Sequence, residues 1–276
     1  MEKICAGIVT YNPLLSDLNA SLNQLIQQVP LVIIVDNNSE NIQSIQQTIK
    51  QYNNVHLIQN TENVGIAAAL NQIFVYACEK KYDWVLTLDD DSIITDHFVN
   101  ILVTEINQNV GIVCSRLRDK KTGVMTSSKT SENKCITAGS LTSVKAWKEI
   151  HGFDEWLFID DVDFDFSMRL YEKGWKIVEA EKAILNHSIG NTIIKNLFFW
   201  HPAVRNHSPF RKYYQERNYI YVDYKFKQYN YFKELFRYIK HCFFVLLWED
   251  NKIKKISAMH KGRKEGLQVI RNMKRA

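Results

Sequence analysis

The stretch LTLDDDSIIT, residues 86–95, is an apolar run of strand length that ends in three consecutive aspartates, Asp89, Asp90 and Asp91. Carboxylates this close repel one another strongly unless a proton or a cation intervenes. The chain as a whole carries a formal net charge of +5, so these acids do not belong to a generally acidic protein. A buried strand that places three acids together indicates a site with its own source of positive charge.

On both sides of this stretch, apolar runs of strand length alternate with segments of helical periodicity. The predicted strands are 3–11, 31–35, 55–58 and 84–88, and the predicted helices are 14–28, 42–52 and 66–78. Alternation at this pitch is typical of a parallel sheet covered by helices on both faces. The sequence therefore predicts an α/β fold with a Rossmann-like, mostly parallel sheet.

The pattern loosens after residue 110. Strands are predicted at 110–114 and 135–143, and the polar segment between them, 119–134, is predicted to be a hairpin or a mobile loop. A helix is predicted from about Asp161 to Lys173, because apolar residues fall on one face and Gly174 supplies a stop. The interpretation is a first domain, 1–192, with halves of about 1–110 and 111–192, followed by a helical region, 193–276.

Polar residues follow each of the first four predicted strands: 10–13, 36–39, 60–65 and 89–91. In open parallel sheets, ligands bind outside the carboxyl ends of the strands, so these residues are expected to share one rim. The alternative for 36–39 is ordinary turn and helix-capping chemistry, which Asp, Asn and Ser also favour.

The segment GFDEWLFIDDVDFDFSMR, residues 152–169, is a second acidic cluster. Hard cations such as Mg²⁺ or Mn²⁺ prefer carboxylate oxygens and often share coordination with substrate phosphates. Two acidic clusters therefore predict a divalent cation and a general base. The alternative for residues 89–91 is a solvated acidic turn that caps the following helix. Within the second cluster, Asp165 is expected to pair with Arg169 at i+4 on an exposed face.

The ordered series VTYNP, VDNNS, NVGIAAALN, LDDD, TAGSL, GFDEWLFIDDVDFDFSMR and NHSIG resembles the inverting nucleotide-sugar glycosyltransferases of family 2. These enzymes have the GT-A fold, and the resemblance is to their bacterial rhamnosyltransferase-like branch. It spans residue 4 to about residue 220. It implies a nucleotide-sugar-binding half at about 1–110 and an acceptor half at about 111–192.

The resemblance implies donor-binding roles for the residues of the predicted rim. Asp36 would contact the nucleobase, and Thr10 and Asn12 would line the nucleotide pocket. Asn63 and Gly65 would hold the ribose or the diphosphate, using the backbone freedom of glycine and the start of a helix.

The resemblance also assigns the three aspartates. Asp89 would lie near the ribose and the metal, Asp91 would bind the metal, and Asp90 would support donor binding. His187 would be a further metal or diphosphate ligand. The implied cofactor is Mn²⁺ or Mg²⁺.

For the reaction, the family pattern places the general base at Asp161, with Asp160 beside it. Such a base takes the proton of the acceptor hydroxyl. Candidates for contact with the acceptor or the diphosphate are Gly139, Trp156, Arg211 and Arg217.

The tail is basic and aromatic. Residues 195–276 contain 19 Lys and Arg against 6 Asp and Glu. A predicted amphipathic stripe from Tyr221 to Ile239 is typical of a helix at an anionic membrane surface. The alternatives are packing on the enzyme body and a homo-oligomer interface. Nucleic acid is not expected as a partner, because no recognised binding module is present.

The five cysteines are scattered and form no CxxC pair, which is typical of a reducing compartment. The N-terminus is interpreted as a strand and not as a signal peptide, and no run is long enough to span a membrane. A cytoplasmic enzyme is expected, peripheral on the inner face of the cell membrane if the tail binds lipid.

The expected reaction is transfer of a sugar, L-rhamnose from dTDP-L-rhamnose by resemblance, to a hydroxyl of a lipid-linked surface polysaccharide intermediate. Alternatives within the class are galactofuranosyl, glucosyl or N-acetylhexosaminyl transfer from a UDP-sugar. An alternative of another class is a catalytically silent nucleotide-sugar-binding or scaffold protein. A sugar nucleotidyltransferase is disfavoured, because its glycine-rich N-terminal phosphate loop is missing.

Overall fold

The computed structural model describes residues 2–187, 193–194 and 203–275. The chain packs as two compact units. The N-terminal unit comprises residues 2–158 and 162–187, and the C-terminal unit comprises 159–161 with the described residues from 193 onward. The predicted boundary between 192 and 193 adjoins residues outside the described ranges, and Ser188 to Gly190 of the NHSIG motif also lie outside them.

The N-terminal unit is built on a sheet whose central strands are continuous apolar runs. Its strands are β1 (Ile4–Thr10), β2 (Val32–Asp36), β3 (Val55–Gln59), β4 (Trp84–Asp89), β5 (Ile93–Ile94), β6 (Val110–Asp119), β7 (Met125–Ser127), β8 (Lys129–Ser131), β9 (Lys134–Cys135), β10 (Ser140–Ser143) and β11 (Lys176–His187). The main sheet has the order β3-β2-β1-β4-β10-β6-β11-β5, with β7 paired to β6, while β8 and β9 pair separately. Six strands point the same way, and β10 runs against both of its neighbours. The mostly parallel sheet is confirmed.

Helices cover both faces of this sheet. They are α1 (Leu15–Leu25), α2 (Ile42–Ile49), α3 (Ile66–Glu79), α4 (Phe98–Thr104), α5 (Val144–Glu149) and α6 (Val162–Glu172), with a 3-10 turn at Glu155–Leu157. On one face, Ile8 and Ile34 join the buried core that includes Leu18 and Leu22 of α1. On the other face Gly7 lies against α3, because a Cβ there would approach Ile73 to 2.4 Å. The alternation of side chains along a strand produces this two-sided burial.

The segment 119–134 takes the hairpin alternative, because β7 pairs antiparallel with β6 and β8 pairs antiparallel with β9. Two local predictions differ from the structure. The predicted strand 135–143 is interrupted, because residues 136–139 separate β9 from β10. The predicted pair between Asp165 and Arg169 forms at 2.7 Å, but Asp165 is fully buried, so this face of α6 is not exposed as expected.

The C-terminal unit contains α7 (Pro209–Lys225), α8 (Tyr231–Trp248) and α9 (Lys252–Met273), with the short strands β12 (Ile193–Ile194) and β13 (Ala203–Val204). The predicted continuous stripe from Tyr221 to Ile239 is wrong, because residues 226–230 separate α7 from α8. Asn230 begins the new helix, since its side chain accepts a hydrogen bond from the backbone N–H of Lys233. Gly262 allows α9 to lie closely against α7, because a Cβ there would meet the carbonyl oxygen of Tyr213.

Buried ion pairs connect these three helices. Glu249 accepts hydrogen bonds from Lys212 at 2.7 Å and from Lys255 at 2.9 Å, and all three side chains are buried. Two other buried acids behave in the same way: Glu216 pairs with Arg237 and His241, and Glu234 pairs with Arg263. None of the described helices is both long enough and apolar enough to cross a membrane.

The Glu249 cluster leads to a prediction about stability. Glu249→Gln should lower the free energy of unfolding by about 3–5 kcal/mol, because it leaves two buried ammonium groups without their anion. The two lysines also hold the pKa of Glu249 below its usual value against the opposing effect of burial, so this stabilisation should be lost in acid. Denaturant unfolding of the full chain measures the change.

The matched control is Asp250→Asn at the exposed neighbouring acid, which should unfold like the parent chain. Equal stabilities of the Glu249 and Asp250 variants would contradict the prediction.

Candidate active site

The loops after β1 and β2 are joined by a hydrogen-bond network around Asp36. The buried carboxylate of Asp36 accepts from Thr10 Oγ1 at 2.9 Å and from Ser39 Oγ at 2.5 Å on Oδ1, and from the Ser39 N–H at 2.9 Å on Oδ2. Asn12 donates its N–H to Ser39 Oγ at 2.8 Å and accepts from the Glu40 N–H at 2.7 Å. Three predicted donor-site residues, Thr10, Asn12 and Asp36, therefore share one network. A contact between Asp36 and a nucleobase stays a prediction.

The loop that contains Asn63 and Gly65 lies against a segment from later in the chain. Gly65 has φ +86°, and a Cβ there would lie 2.6 Å from the ring of Phe158. The carbonyl oxygen of Phe158 accepts from the N–H of Ile66 at 2.7 Å, at the start of α3. Protein groups thus occupy this close approach and the N–H of Ile66, and contact of Gly65 with the ribose or the diphosphate stays a prediction.

At the end of β4, two of the three aspartates meet a histidine from the end of β11. His187 Nδ1 lies 3.4 Å from Asp91 Oδ1, and His187 Nε2 lies 3.9 Å from Asp89 Oδ2. One potential ligand atom from each of the three residues falls within 4.8 Å of the others. The structure thus brings together the three side chains that the sequence predicted as metal ligands.

Strand register explains how a residue 96 positions after Asp91 reaches it. β11 pairs in parallel with β6, so that His187 lies beside Asp119, and it pairs antiparallel with β5 directly after the aspartates. The neighbours of the cluster come from the same pairing: Ser92 Oγ lies 3.0 Å from His187 Nδ1, and Lys120 Nζ donates to the carbonyl oxygen of Asp91.

The three aspartates differ in their electrostatics. Burial, together with the charges of Asp89 and Asp91, raises the pKa of Asp90 to about 7, so this carboxyl is partly protonated at neutral pH. Burial acts against the charged forms of Asp91 and His187, but their mutual hydrogen bond and attraction outweigh it. The pKa of Asp91 is therefore lowered and that of His187 is raised. Protonation of Asp90 and the attraction between Asp91 and His187 thus relieve part of the repulsion expected among the three aspartates.

The donor set suits a divalent cation. Two carboxylates and one imidazole match the ligand preferences of Mn²⁺, and carboxylate-rich sites also take Mg²⁺. All three side chains are partly exposed, which leaves room for further ligands from a substrate or from water.

The residues predicted as the base and its neighbour lie in a strained turn. Asp160 has φ 62° and Asp161 has φ 60°, a left-handed conformation that is uncommon for residues other than glycine. Side chains of α7 hold the turn: Asn218 donates to the carbonyl oxygens of Ile159 at 2.7 Å and Asp160 at 3.0 Å. Arg211 binds both carboxylate oxygens of Asp160 at 2.9–3.1 Å.

Comparisons with known proteins identify the family of this chain. The sequence model "Glycosyl transferase family 2" matches residues 5–175. The chain is also 30% identical over 237 residues to the dTDP-rhamnosyl transferase RfbF of Shigella flexneri, covering 79% of this chain and 78% of that protein. The chain belongs to glycosyl transferase family 2. It is a glycosyltransferase.

Solved structures confirm the GT-A fold. GalNAc-T7 with UDP, GalNAc and Mn²⁺ superposes with a TM-score of 0.61 at 15% identity, over 99% of this chain and 57% of that one. S. aureus TarS 1–349 in complex with UDP-GlcNAc superposes with a TM-score of 0.58 at 18% identity, over 80% of this chain and 66% of that one. The present chain thus spans less than two thirds of the length of each of these two solved chains.

The candidates on α7 of this glycosyltransferase have different surroundings. Arg211 is partly exposed and is paired with Asp160, so its charge is engaged within the turn. Arg217 is buried, stacks over the ring of Tyr214 at 4.6 Å and lies 3.8 Å from Glu265. These are contacts of helix packing, and contact of Arg217 with a diphosphate or an acceptor stays a prediction.

Gly139 and Trp156 also serve local structure. Gly139 is buried with φ +73°, and a Cβ there would approach Ser115 Oγ to 2.5 Å, so the close packing at this position requires a residue without a side chain. Contact of Gly139 with an acceptor stays a prediction. Trp156 is half-buried, and its N–H donates to Asp154 Oδ1 at 3.3 Å in the 3-10 turn. Contact of Trp156 with a sugar stays a prediction.

Four residues with contacts at the site are not individual candidates from the sequence, although Asn37 falls in the predicted rim segment 36–39. Ser92 and Lys120 contact the metal-ligand candidates, and only strand pairing brings Lys120 there. Asn37 donates to the Gly65 carbonyl oxygen at 3.2 Å and accepts from Asn60, which joins two loops of the rim. Asn218 is fully buried. A polar residue at a buried position of α7 is the one signal that could have identified it.

The metal-ligand candidates lead to a prediction. Asp91→Asn should weaken Mn²⁺ binding by at least about tenfold, because it removes a charged ligand. Binding to the parent chain should also weaken as the pH falls through the raised pKa of His187, since the ion then competes with a proton. Titration calorimetry at several pH values measures both effects. Asp96→Asn at an exposed acid nearby is the control, and equal affinity of the two variants would refute the metal site.

The strained turn leads to a second prediction. Asn218→Ala should lower the free energy of unfolding by about 1–3 kcal/mol, because two carbonyl groups lose their donor. It should also slow sugar transfer more than it weakens donor binding. Unfolding and steady-state kinetics measure these effects, with the exposed Asn272→Ala on α9 as the control. Full transfer activity in the Asn218 variant would show that the turn needs no such support.

Proposed function

We propose that this enzyme transfers L-rhamnose from dTDP-L-rhamnose, with inversion, to a hydroxyl of a glycan, most specifically a lipid-linked surface polysaccharide intermediate. The observation that carries the choice of sugar is the 30% identity to a dTDP-rhamnosyl transferase over 79% of the chain. The choice of acceptor rests on the family resemblance.

For the donor, the proposal uses the rim of the N-terminal unit. Thr10, Asn12 and Asp36 shape the loops after β1 and β2. Their hydrogen-bond network would order these loops before the nucleotide binds. Asn63 orders the next loop by accepting from the Gly65 N–H at 3.0 Å. Asp90, partly protonated at neutral pH, can donate a hydrogen bond to a phosphate oxygen that an ionised carboxylate would repel.

Asp89, Asp91 and His187 would hold the divalent cation, Mn²⁺ or Mg²⁺. When bound there, such an ion supplies positive charge for the leaving diphosphate. Lys120, whose Nζ already donates to the Asp91 carbonyl oxygen, adds a second positive charge at the same place. Both charges favour departure of the nucleotide.

Asp161 is proposed as the general base, which takes the acceptor proton as the hydroxyl attacks the anomeric carbon. Attack opposite the leaving group inverts that carbon. Asp160, by contrast, is held by the guanidinium of Arg211, so the proposal gives Asp160 a positioning role.

A cytoplasmic location is part of the proposal. All five cysteines lie in the described residues and none forms a disulfide, which favours a reducing compartment.

Turnover with a panel of donors tests the choice of sugar. dTDP-L-rhamnose with Mn²⁺ or Mg²⁺ should support transfer, while UDP-glucose, UDP-galactofuranose and UDP-N-acetylglucosamine should support much less, and a chelator should abolish it. Preference for a UDP-sugar would overturn rhamnose but leave glycosyl transfer intact. Donor binding without any turnover would favour the catalytically silent alternative.

Asp161→Asn tests the base. It should reduce kcat by about 10²- to 10⁴-fold while donor affinity is kept, because only proton removal is lost. Asp163→Asn is the matched control, since its amide oxygen can still accept from Thr137 Oγ1, which lies 2.9 Å from Asp163 Oδ1. Full activity of the Asp161 variant would refute its assignment.

A further inference from the structure

Helix α8 of the C-terminal unit carries a row of apolar side chains on its exposed side. Phe232 is 79% exposed and Phe236 is 71% exposed, far more than aromatic residues of a packed helix. The full row, called the α8 stripe, consists of Phe232, Phe236, Ile239, Phe243, Leu246 and Leu247. At 100° per residue these six positions fall within an arc of about 100°, so they form one continuous face.

The surface around the α8 stripe is positively charged. Lys233 and Lys240 are exposed, and helical spacing makes Lys240 a neighbour of both Phe236 and Phe243. The one acidic residue of α8, Glu234, is buried and paired with Arg263.

Internal pairing makes this surface more basic than composition alone indicates. Of the six Asp and Glu between residues 203 and 275, Glu216, Glu234, Glu249 and Glu265 pair with bases inside the unit. Their negative charge therefore neutralises basic side chains within the unit and does not offset the positive charge of the surface. The exposed basic side chains on α8 and α9 are Lys233, Lys240, Lys252, Lys254, Lys261, Lys264 and Arg271.

We propose that the α8 stripe, with the lysines beside it, docks the enzyme on an anionic lipid bilayer. An apolar face flanked by basic side chains is the arrangement with which interfacial helices enter the headgroup region. Phe and Leu side chains insert into the apolar boundary, while Lys233 and Lys240 contact lipid phosphates. The helix lies on the bilayer and does not cross it.

Two observations favour a bilayer over a second copy of the chain. Symmetric pairing of two α8 stripes would bring the flanking lysines of both copies together, and such like charges repel. Six side chains from one helix are also far fewer than the roughly 20 to 30 residues per side of a standard protein interface. A bilayer supplies both the apolar volume and the negative charge that the surface lacks.

Co-sedimentation of the full chain with vesicles tests this surface and needs no nucleotide sugar, so its result is independent of the proposed reaction. The chain should bind vesicles of phosphatidylcholine mixed with phosphatidylglycerol more tightly than vesicles of phosphatidylcholine alone. The double variant Phe232→Ser with Phe236→Ser should bind at least about tenfold more weakly. Lys233→Gln with Lys240→Gln should also lose about tenfold, and only on the anionic vesicles.

Matched controls change exposed residues of the N-terminal unit. Val75→Ser with Val124→Ser controls for lost apolar surface, and Lys50→Gln with Lys148→Gln controls for lost charge. Both should bind as the parent chain does. Because all substituted side chains are exposed, thermal unfolding of each variant should match the parent.

Unchanged binding of both α8 variants, or no binding of the parent chain to anionic vesicles, would overturn the proposal. Sedimentation equilibrium tests the alternative that a second copy of the chain occupies the α8 stripe. A parent dimer that dissociates on Phe232→Ser with Phe236→Ser, without vesicle binding by the parent, would identify the α8 stripe as a contact between copies and would also overturn the bilayer proposal.

Discussion

Three carboxylates at the end of one buried strand must be neutralised, and much of the N-terminal unit is arranged around that requirement. Asp90 is relieved by a proton, since its pKa is raised to about 7, and Asp91 by His187. The histidine reaches the cluster because the second half of β11, from Ile184 to His187, pairs with β6 and also with β5. The same pairing brings Lys120 to the cluster. Without this pairing of β11, the aspartates would lack His187 and Lys120 as neighbours.

The C-terminal helices have a complementary role. Arg211 in the first turn of α7 and Asn218 in its third turn hold the segment 159–161 in a left-handed turn. Backbone strain of this kind persists only where the surroundings determine it, and it is common at functional sites. The helical region therefore does more than extend the chain, because it shapes the segment in which the family pattern places the base.

Buried ion pairs explain how a strongly basic helical region remains folded. Each buried acid neutralises bases from other helices, as Glu249 does for Lys212 and Lys255. Removing one partner is costly, although the intact pairs contribute little net stability. Because most of its acids pair with bases inside the region, the helical region presents a basic surface beside the apolar face of α8. Packing and surface charge are thus linked by the same residues.

The sequence by itself determined the sheet, the family and the candidate ligands, because strand and helix periodicities and short ordered motifs are local properties. It predicted that Asp89, Asp91 and His187 would act together, and the structure brings them within reach of one ion. It placed the base at Asp161 by family pattern, but it did not show that Arg211, 51 positions after Asp160, holds the Asp160 carboxylate. It also did not show which segments lie against Gly65, Gly139 and Arg217. Only the tertiary structure decided these contacts, and the division of α7 from α8, because burial and pairing depend on which segments the fold places side by side.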